Sequence, residues 1–333
     1  MSSAGARILR PCGIYNGGSA LEEQKKRAVA LGFFDGLHLG HQALLRRTVE
    51  RGLERGLRPA LLTFDRSPRE FVTGTPVPLL TTNEERRRMA ETLFPGVEVL
   101  TVPFDRAMMT MPWEDFVEML AESYEARWLV AGHDFRFGHR NAGSADLLRE
   151  KAEALGLGCD VIPAVRLEGV IVSSTHIRAL LERGEAETAA RFLGRPFAIS
   201  GPVRHGKRLG SSRLSAPTVN LTPDRRQLTP AFGVYATRVT VDGRTYPAVT
   251  NVGVRPTVDT DGGVTVESHL LEIAGELYGA DCRVEFLKAL RPERRFESLE
   301  KLREQIARDG AAARAYFRVE ESAEHIQPDT RRG

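Results

Sequence analysis

Along the first half of the chain, short apolar runs alternate with charged stretches whose apolar residues recur every three or four positions. AVALGFF (28–34), RPALLTF (58–64), VEVLTVPF (97–104), RWLVAG (127–132) and CDVIPA (159–164) have strand length and strand composition. Between them lie HQALLRRTVERGLERG (41–56), NEERRRMAETLF (83–94), EDFVEMLAESY (114–124) and SADLLREKAEALG (144–156), all with helical spacing. In the first of these, Leu44, Leu45, Val49 and Leu53 form the apolar face. Such alternation predicts βαβ units and a parallel, Rossmann-like sheet with its ligand at the carboxyl ends of the strands.

The pattern changes after about residue 186. RGEAETAARFLG (183–194) is one last helical stretch, and period-two runs follow. In VYATRVTVDGRTYPAVTNVGV, Asp242-Gly243 between two such runs signals a hairpin. GVTVESHLLEI (263–273) and CRVEFLKAL (282–290) read as further strands. A helix returns at FESLEKLREQIARD (296–309), with Phe296, Leu299, Leu302 and Ile306 on one face, and EESAEHIQPDTRRG closes the chain as a loose polar tail. The expected organisation is an α/β domain over 1–196, an antiparallel β domain with a C-terminal helix over 197–322, and a tail over 323–333.

Composition narrows the partners. Of 333 residues, 41% are hydrophobic and 27% charged, as in a soluble globular protein, and the formal charge is only +3. Lys and Arg alternate with Asp and Glu, as in ERRRMAETLF and RPERRFESLEKLRE, which reads as solvated helix faces rather than a nucleic-acid patch. Cys12, Cys159 and Cys282 are scattered and odd in number, and no secretory signal or membrane-length apolar run is present. The expectation is a reduced, cytoplasmic protein with no membrane, no nucleic acid and no obligate protein partner.

The first candidate chemistry is GFFDGLHLGH (32–41), where His38 and His41 bracket Gly40 just after a strand and at the start of a helix. Two histidines three apart can share a metal, hold a phosphate or simply pack. A zinc site needs a third protein ligand, and the sequence places none nearby. A helix N-terminus with glycines receives anions through its unpaired N–H groups, and two imidazoles beside it can donate to phosphate oxygens and stabilise charge that develops in group transfer. Phosphate is therefore the preferred reading. A second stretch, VSSTHIR (172–178), brings the hydroxyls of Ser173, Ser174 and Thr175 to another helix start, with Arg178 as a cation.

HxGH after a strand, with GFFDG upstream and VSSTHIR far downstream, resembles the nucleotidylyltransferase superfamily. The resemblance implies attack on the α-phosphate of ATP with release of pyrophosphate. It makes His38 and His41 catalytic, and Gly32, Phe34, Asp35, Gly36, Gly40, Ser173, Ser174, Thr175 and Arg178 ATP-binding. AGHDFRFGHRNAGS (131–144) resembles the flavin-proximal motif of bacterial FMN adenylyltransferases, which implies flavin contacts from Asp134, Phe135 and Phe137.

SGPVRHGKRLGSSRLSAPTVNL (200–221) extends the resemblance over the whole chain, to the bacterial bifunctional riboflavin kinase/FMN adenylyltransferase family. It implies an antiparallel β-barrel kinase domain that binds ATP through Gly206, Lys207 and Gly210, with Thr218 and Asn220 holding Mg²⁺ beside the ATP phosphates. Hard oxygen ligands suit that ion. NVGVRPTV (251–258) and VTVESHLLEI (264–273) match the next blocks and imply that Glu267 is the base for the riboflavin 5′-hydroxyl, on the strand face opposite Val266 and Leu270 and shared with His269. The implied partners are riboflavin, FMN, FAD and ATP. Two departures stand out. The loop before Pro217 reads GSSRLSAPT, with Ser215 and Ala216 where the family has a glycine and an aromatic residue, and Arg66-Ser67-Pro68 replaces Pro-His-Pro. The first motivates an alternative, an FMN adenylyltransferase whose kinase domain is impaired and only binds flavin. A flavin-binding protein without turnover, and a nucleotidylyltransferase for another phosphate substrate, are the remaining readings.

Overall fold

A computed structural model of the chain describes residues 26–203, 218–254, 263–271 and 281–326, with side chains described as far as Arg318 and Val319 in the last helix. These residues fall into two compact units, 26–77 with 86–166, and 78–85 with 167–326.

In chain order the first half forms β1 (Arg27–Leu31), α1 (Leu39–Arg55), β2 (Arg58–Phe64), α2 (Pro68–Thr73), α3 (Asn83–Leu93), β3 (Glu98–Val102), α4 (Arg106–Thr110), α5 (Trp113–Glu122), β4 (Ala126–Gly132), the short β5 (Arg136–Phe137) and β6 (Gly143–Ser144), α6 (Ala145–Ala154) and β7 (Gly158–Ile162). The five long strands form one all-parallel sheet in the order β3-β2-β1-β4-β7. Strand residues feed two cores in alternation. Val29, Leu31, Leu62 and Leu129 pack with Phe116, Leu120 and Leu148 of α5 and α6, while Ala30, Leu61 and Val130 pack with Leu44, Leu45, Met89 and Ala90 of α1 and α3. Burial on both faces explains why these strands read as continuous apolar runs. Helix α1 stops at Gly56, which takes the left-handed conformation (φ 62°) and returns its N–H to the Gly52 carbonyl.

Strand β1 ends at Leu31, three residues before the apolar run does, because Phe34 and Leu37 adopt φ of 56° and 41° and turn the backbone out of the sheet. One expectation needs correcting. The charged run of α3 is not a solvated face throughout, since Glu85 and Arg86 are buried while Arg87 and Arg88 are exposed.

The second unit's longer segment starts within a small ladder of β8 (Arg166–Leu167, whose second residue is the first of that segment) with β9 (Val170–Ile171). Then come α7 (Ser174–Glu182), α8 (Ala186–Leu193), β10 (Phe197–Pro202), β11 (Thr218–Leu221), β12 (Gly233–Val241), β13 (Arg244–Val254), β14 (Val264–Leu270), β15 (Asp281–Pro292) and α9 (Leu299–Ile326). The six long strands make an antiparallel sheet in the order β10-β15-β12-β13-β14-β11. The sheet curls into an open barrel. Its two edge strands come so close that a Cβ on Gly201 would lie 2.7 Å from Leu221 Cδ2. The Asp242-Gly243 hairpin is present, both residues at positive φ and Val241 paired with Arg244. One face of the sheet carries a buried hydroxyl chain, Thr237 to Thr250 at 2.6 Å and Thr250 to Ser268 at 2.7 Å, whose loss would follow any register slip. The opposite face of β12 and β13 is covered by α9 through Ala313, Tyr316 and Phe317 against Val234, Ala236 and Val249. That docking, with Ala311 to Ala313 as strong helix formers, carries α9 to Ile326, well into the stretch whose polarity predicts a loose tail.

Candidate functional site

In the first unit the strand order reverses at β1. Connections run outward through β2 and β3 on one side, then return to β4 and β7 on the other. In open α/β sheets the crevice at such a reversal, beyond the carboxyl ends of the two central strands, receives the ligand. Those two ends carry the two motifs singled out in this part of the sequence. GFFDGLHLGH leaves β1, and the DFRFG stretch leaves β4.

The β1 loop is tightly constrained. Gly32 N–H bonds to the Leu62 carbonyl at 3.3 Å, and Leu37 N–H to the Phe34 carbonyl at 3.2 Å. Phe34 and Leu37 are fully buried and hold positive φ, a strained backbone of the kind that persists where surrounding packing fixes it. Gly36 (φ 81°) completes the turn. His38 is the N-cap of α1, and its Nδ1 accepts the His41 N–H at 3.3 Å. An accepting Nδ1 places the neutral ring's proton on Nε2, which makes Nε2–H a donor. The His38 and His41 rings stack at 3.6 Å with a 13° tilt, and Phe34 packs against His41 at 5.1 Å. Gly40 lies in the first turn, which contains no acidic residue, so the dipole end favours an anion.

Beneath this loop lies a group that no local motif in the sequence marks. Arg86 donates to Thr63 Oγ1 at 2.7 Å and to the Phe64 carbonyl at 3.1 Å, and its guanidinium lies 4.3 Å from the centre of the Phe33 ring. Burial pushes its pKa down to about 10 against the opposing pull of buried Asp35. The signal for it in the sequence is spacing. Arg86 shares the apolar stripe of Met89 and Ala90, three and four residues on.

After β4, Asp134 is exposed and Phe135 half-buried, while Phe137 is only 6% exposed, packed in the core against Phe116 and stacked with Phe135. Of the two rings, Phe135 has the open surface. Gly138 sits at φ 71°, ψ 174°, a region reserved for glycine, and a Cβ there would lie 2.6 Å from Trp113 Cα. Gly138→Ala should destabilise the first unit by roughly 2–5 kcal/mol. A lowered thermal midpoint would check this, and an unchanged one would show that the loop can relax.

The VSSTHIR residues belong to the second unit. Ser173 is the N-cap of α7, its Oγ accepting the His176 N–H at 3.2 Å. Ser174 and Thr175 open the first turn, and Arg178 Nε donates to the Pro78 carbonyl at 2.8 Å.

The barrel register gathers a second constellation. Thr218 and Asn220 of β11 pair with His269 and Glu267 of β14, and Asn251 of β13 pairs with Glu267 from the other side. Side chains alternate along strands, so Thr218, Asn220, Asn251, Glu267 and His269 share one face, opposite Val266, Ser268 and Leu270. Thr218 Oγ1 lies 3.1 Å from His269 Nδ1. Burial pulls His269 below its usual range, against the opposing pull of Glu267, and so favours the neutral ring. Asn220 is 6% exposed and Glu267 half-buried. Asn251 and His269 have no role assigned by sequence, and strand parity was the signal available for both. Gly206, Lys207 and Gly210, and most of the GSSRLSAPT loop, lie outside the described residues.

Comparison with known proteins matches both units. The FAD synthetase family model matches residues 20–176, and the riboflavin kinase family model matches residues 193–317. The bifunctional riboflavin kinase/FMN adenylyltransferase of Pseudomonas fluorescens is 39% identical over 88% of this chain and 94% of its own length. That of Escherichia coli (strain K12) is 38% identical over 92% and 96%, and that of Bacillus subtilis (strain 168) 33% identical over 89% and 94%. Among solved structures, one described as a macrolide-efflux protein from Streptococcus pneumoniae matches with a TM-score of 0.77 and 28% identity, over 87% of this chain and 94% of that one. Its description belongs to that protein; in this chain no described helix is long and apolar enough to cross a membrane. With both family models in sequence order and these relatives matched along nearly their whole length, the chain belongs to the bifunctional riboflavin kinase/FMN adenylyltransferase family.

Proposed function

We infer that this chain makes FAD from riboflavin in two ATP-dependent steps. In the first, the antiparallel unit phosphorylates riboflavin. Glu267 takes the 5′-hydroxyl proton, the hydroxyl oxygen bonds to the γ-phosphorus of ATP, the bond to the bridging oxygen breaks, and ADP leaves. In the second, a phosphate oxygen of FMN bonds to the α-phosphorus of another ATP and pyrophosphate leaves. That nucleophile is already an anion, so the step needs alignment and charge stabilisation rather than a base. We assign these roles to His38 and His41, with Ser174, Thr175 and Arg178 on the nucleotide phosphates and Ser173 capping the helix that presents them. Gly32, Phe34, Asp35, Gly36 and Gly40 shape the turn that lets phosphate approach backbone. Asp134 and Phe135 contact the flavin, with Phe137 stacked behind. The observation that carries this reading is the emergence of the histidine loop and the flavin loop from the adjacent carboxyl ends of β1 and β4.

Mg²⁺ would be held by Thr218 and Asn220 together with the ATP phosphates, where it would offset charge on the transferred group. The donor chemistry fits. With its proton on Nε2, a neutral His269 can accept a hydrogen bond at Nδ1 from the Thr218 hydroxyl, which leaves that oxygen's lone pairs for a hard cation, and Asn220 adds a neutral amide oxygen. We place the functional boundary at 196/197, with 323–333 outside both activities, and assign riboflavin, FMN, FAD and ATP as partners. A cytoplasmic setting agrees with the free thiols of Cys159 and Cys282. The alternative of adenylyl transfer alone is not favoured, because the relatives named above carry both activities in their names.

A chromatographic time course tests the whole reading. Riboflavin with MgATP should give FMN and then FAD, one ADP per FMN and one pyrophosphate per FAD. FAD from added FMN but no FMN from riboflavin would establish the adenylyl-only protein. Flavin retained with neither ADP nor pyrophosphate released would establish a binding protein.

A further inference from the structure

Arg86 is 1% exposed on a helix whose other arginines face solvent. A guanidinium is buried only at a large desolvation cost, and an apolar side chain would fill the same space without it. Its surroundings use the features a guanidinium has and an apolar residue lacks. One nitrogen bonds both the Thr63 hydroxyl and the Phe64 carbonyl at the end of β2, and the flat face covers the Phe33 ring. Thr63 passes the link on, since its hydroxyl donates to the Phe33 carbonyl at 2.8 Å. Phe33 opens the turn that runs through Phe34, Asp35 and Gly36 to His38, and Asp35, itself buried, interacts electrostatically with Arg86.

We propose that Arg86 is a positioning residue for adenylyl transfer. Through Thr63 and Phe33 it ties the carboxyl end of β2 to the start of the histidine loop, and so sets where His38, His41 and the first turn of α1 meet the nucleotide phosphates. The inference rests on the adenylyl-transfer reading of this unit. It requires the planar guanidinium, held flat on Phe33 while one nitrogen bonds Thr63 and the Phe64 carbonyl, and not charge alone. A lysine ammonium has donors enough for Thr63 and the Phe64 carbonyl, but it is a compact point charge on a differently shaped stem and cannot lie flat on Phe33 while making those bonds.

The test compares wild type, Arg86→Lys, Thr63→Val and the double variant. It measures kcat and KM for FAD formation from FMN and MgATP, FMN formation from riboflavin in the same preparations, and the thermal midpoint. Misplacement of reacting groups by about 1 Å can cost on the order of 100-fold in rate. Arg86→Lys is therefore expected to lose about 10- to 100-fold in kcat for FAD formation, with KM changed far less and FMN formation retained. The double variant should lose little more than the worse single one, because both break the same link. FAD formation by Arg86→Lys within twofold of wild type would overturn the proposal. So would an equal loss of FMN formation, or additive losses in the double variant. Should wild type itself make no FAD from FMN and ATP, the reading of the unit fails instead, an outcome visible before any variant is compared.

Discussion

Replacing Glu267 by glutamine is expected to slow FMN formation from riboflavin and MgATP by about 10²- to 10⁴-fold, the usual worth of a positioned base, while FAD formation from added FMN continues at the wild-type rate. Glutamine keeps the shape and can still orient a hydroxyl, but it cannot take the proton. The strand context makes this substitution mild for the fold. Glu267 is half-buried between Asn220 and Asn251, and the hydroxyl chain of Thr237, Thr250 and Ser268 lies on the other face of the sheet. Glu267 lies next to His269, whose charged form it favours, so the variant should also leave His269 more firmly neutral. The measurement is two parallel assays on one preparation. Loss of both activities would mean that Glu267 holds the structure together. Loss of neither would make it an ordinary half-exposed strand residue and remove the base from the proposed kinase step.

The parts of this fold that were legible in sequence are those where burial follows a simple period. RPALLTF is a strand from its first residue to its last, and the run from Asn83 departs by a single residue at its end, because the sheet is covered on both faces and the helices on one. The histidine loop was legible for a different reason. A strand, glycines and a helix start confine His38 and His41 to a helix N-terminus whatever the tertiary details. What escaped was set by long-range contacts. The final turns of α9 are polar in sequence and helical because Ala313, Tyr316 and Phe317 dock on the barrel. Arg86 looked like part of a solvated run, since nothing local announces that Thr63 and Phe33, 23 residues away and further, converge on it. The gathering of Asn251 with Asn220 around Glu267 needed the register of three strands, which no single window contains.

His38→Asn is expected to reduce FAD formation from FMN and MgATP by about 10²- to 10³-fold, the usual cost of removing one preorganised donor from developing charge, with little change in thermal midpoint and none in FMN formation. The choice of asparagine separates the capping that the structure shows from the donor role proposed for the same ring. His38 Nδ1 caps α1 by accepting the His41 N–H, which in the neutral ring puts the proton on Nε2. Asparagine ranks among the best caps and can take over the capping, but its short side chain cannot carry a donor out to the Nε2 position. His38→Ala removes both and should cost about 1 kcal/mol of stability in addition to the lost rate. The stacking of His38 on His41 means that His41 loses a wall in either variant, so His41→Asn belongs in the same series. Near-wild-type FAD formation by His38→Asn would reduce His38 to a capping residue and move the burden of charge stabilisation to His41 and the backbone of α1. A rate lost only in His38→Ala, in step with its stability, would say the same.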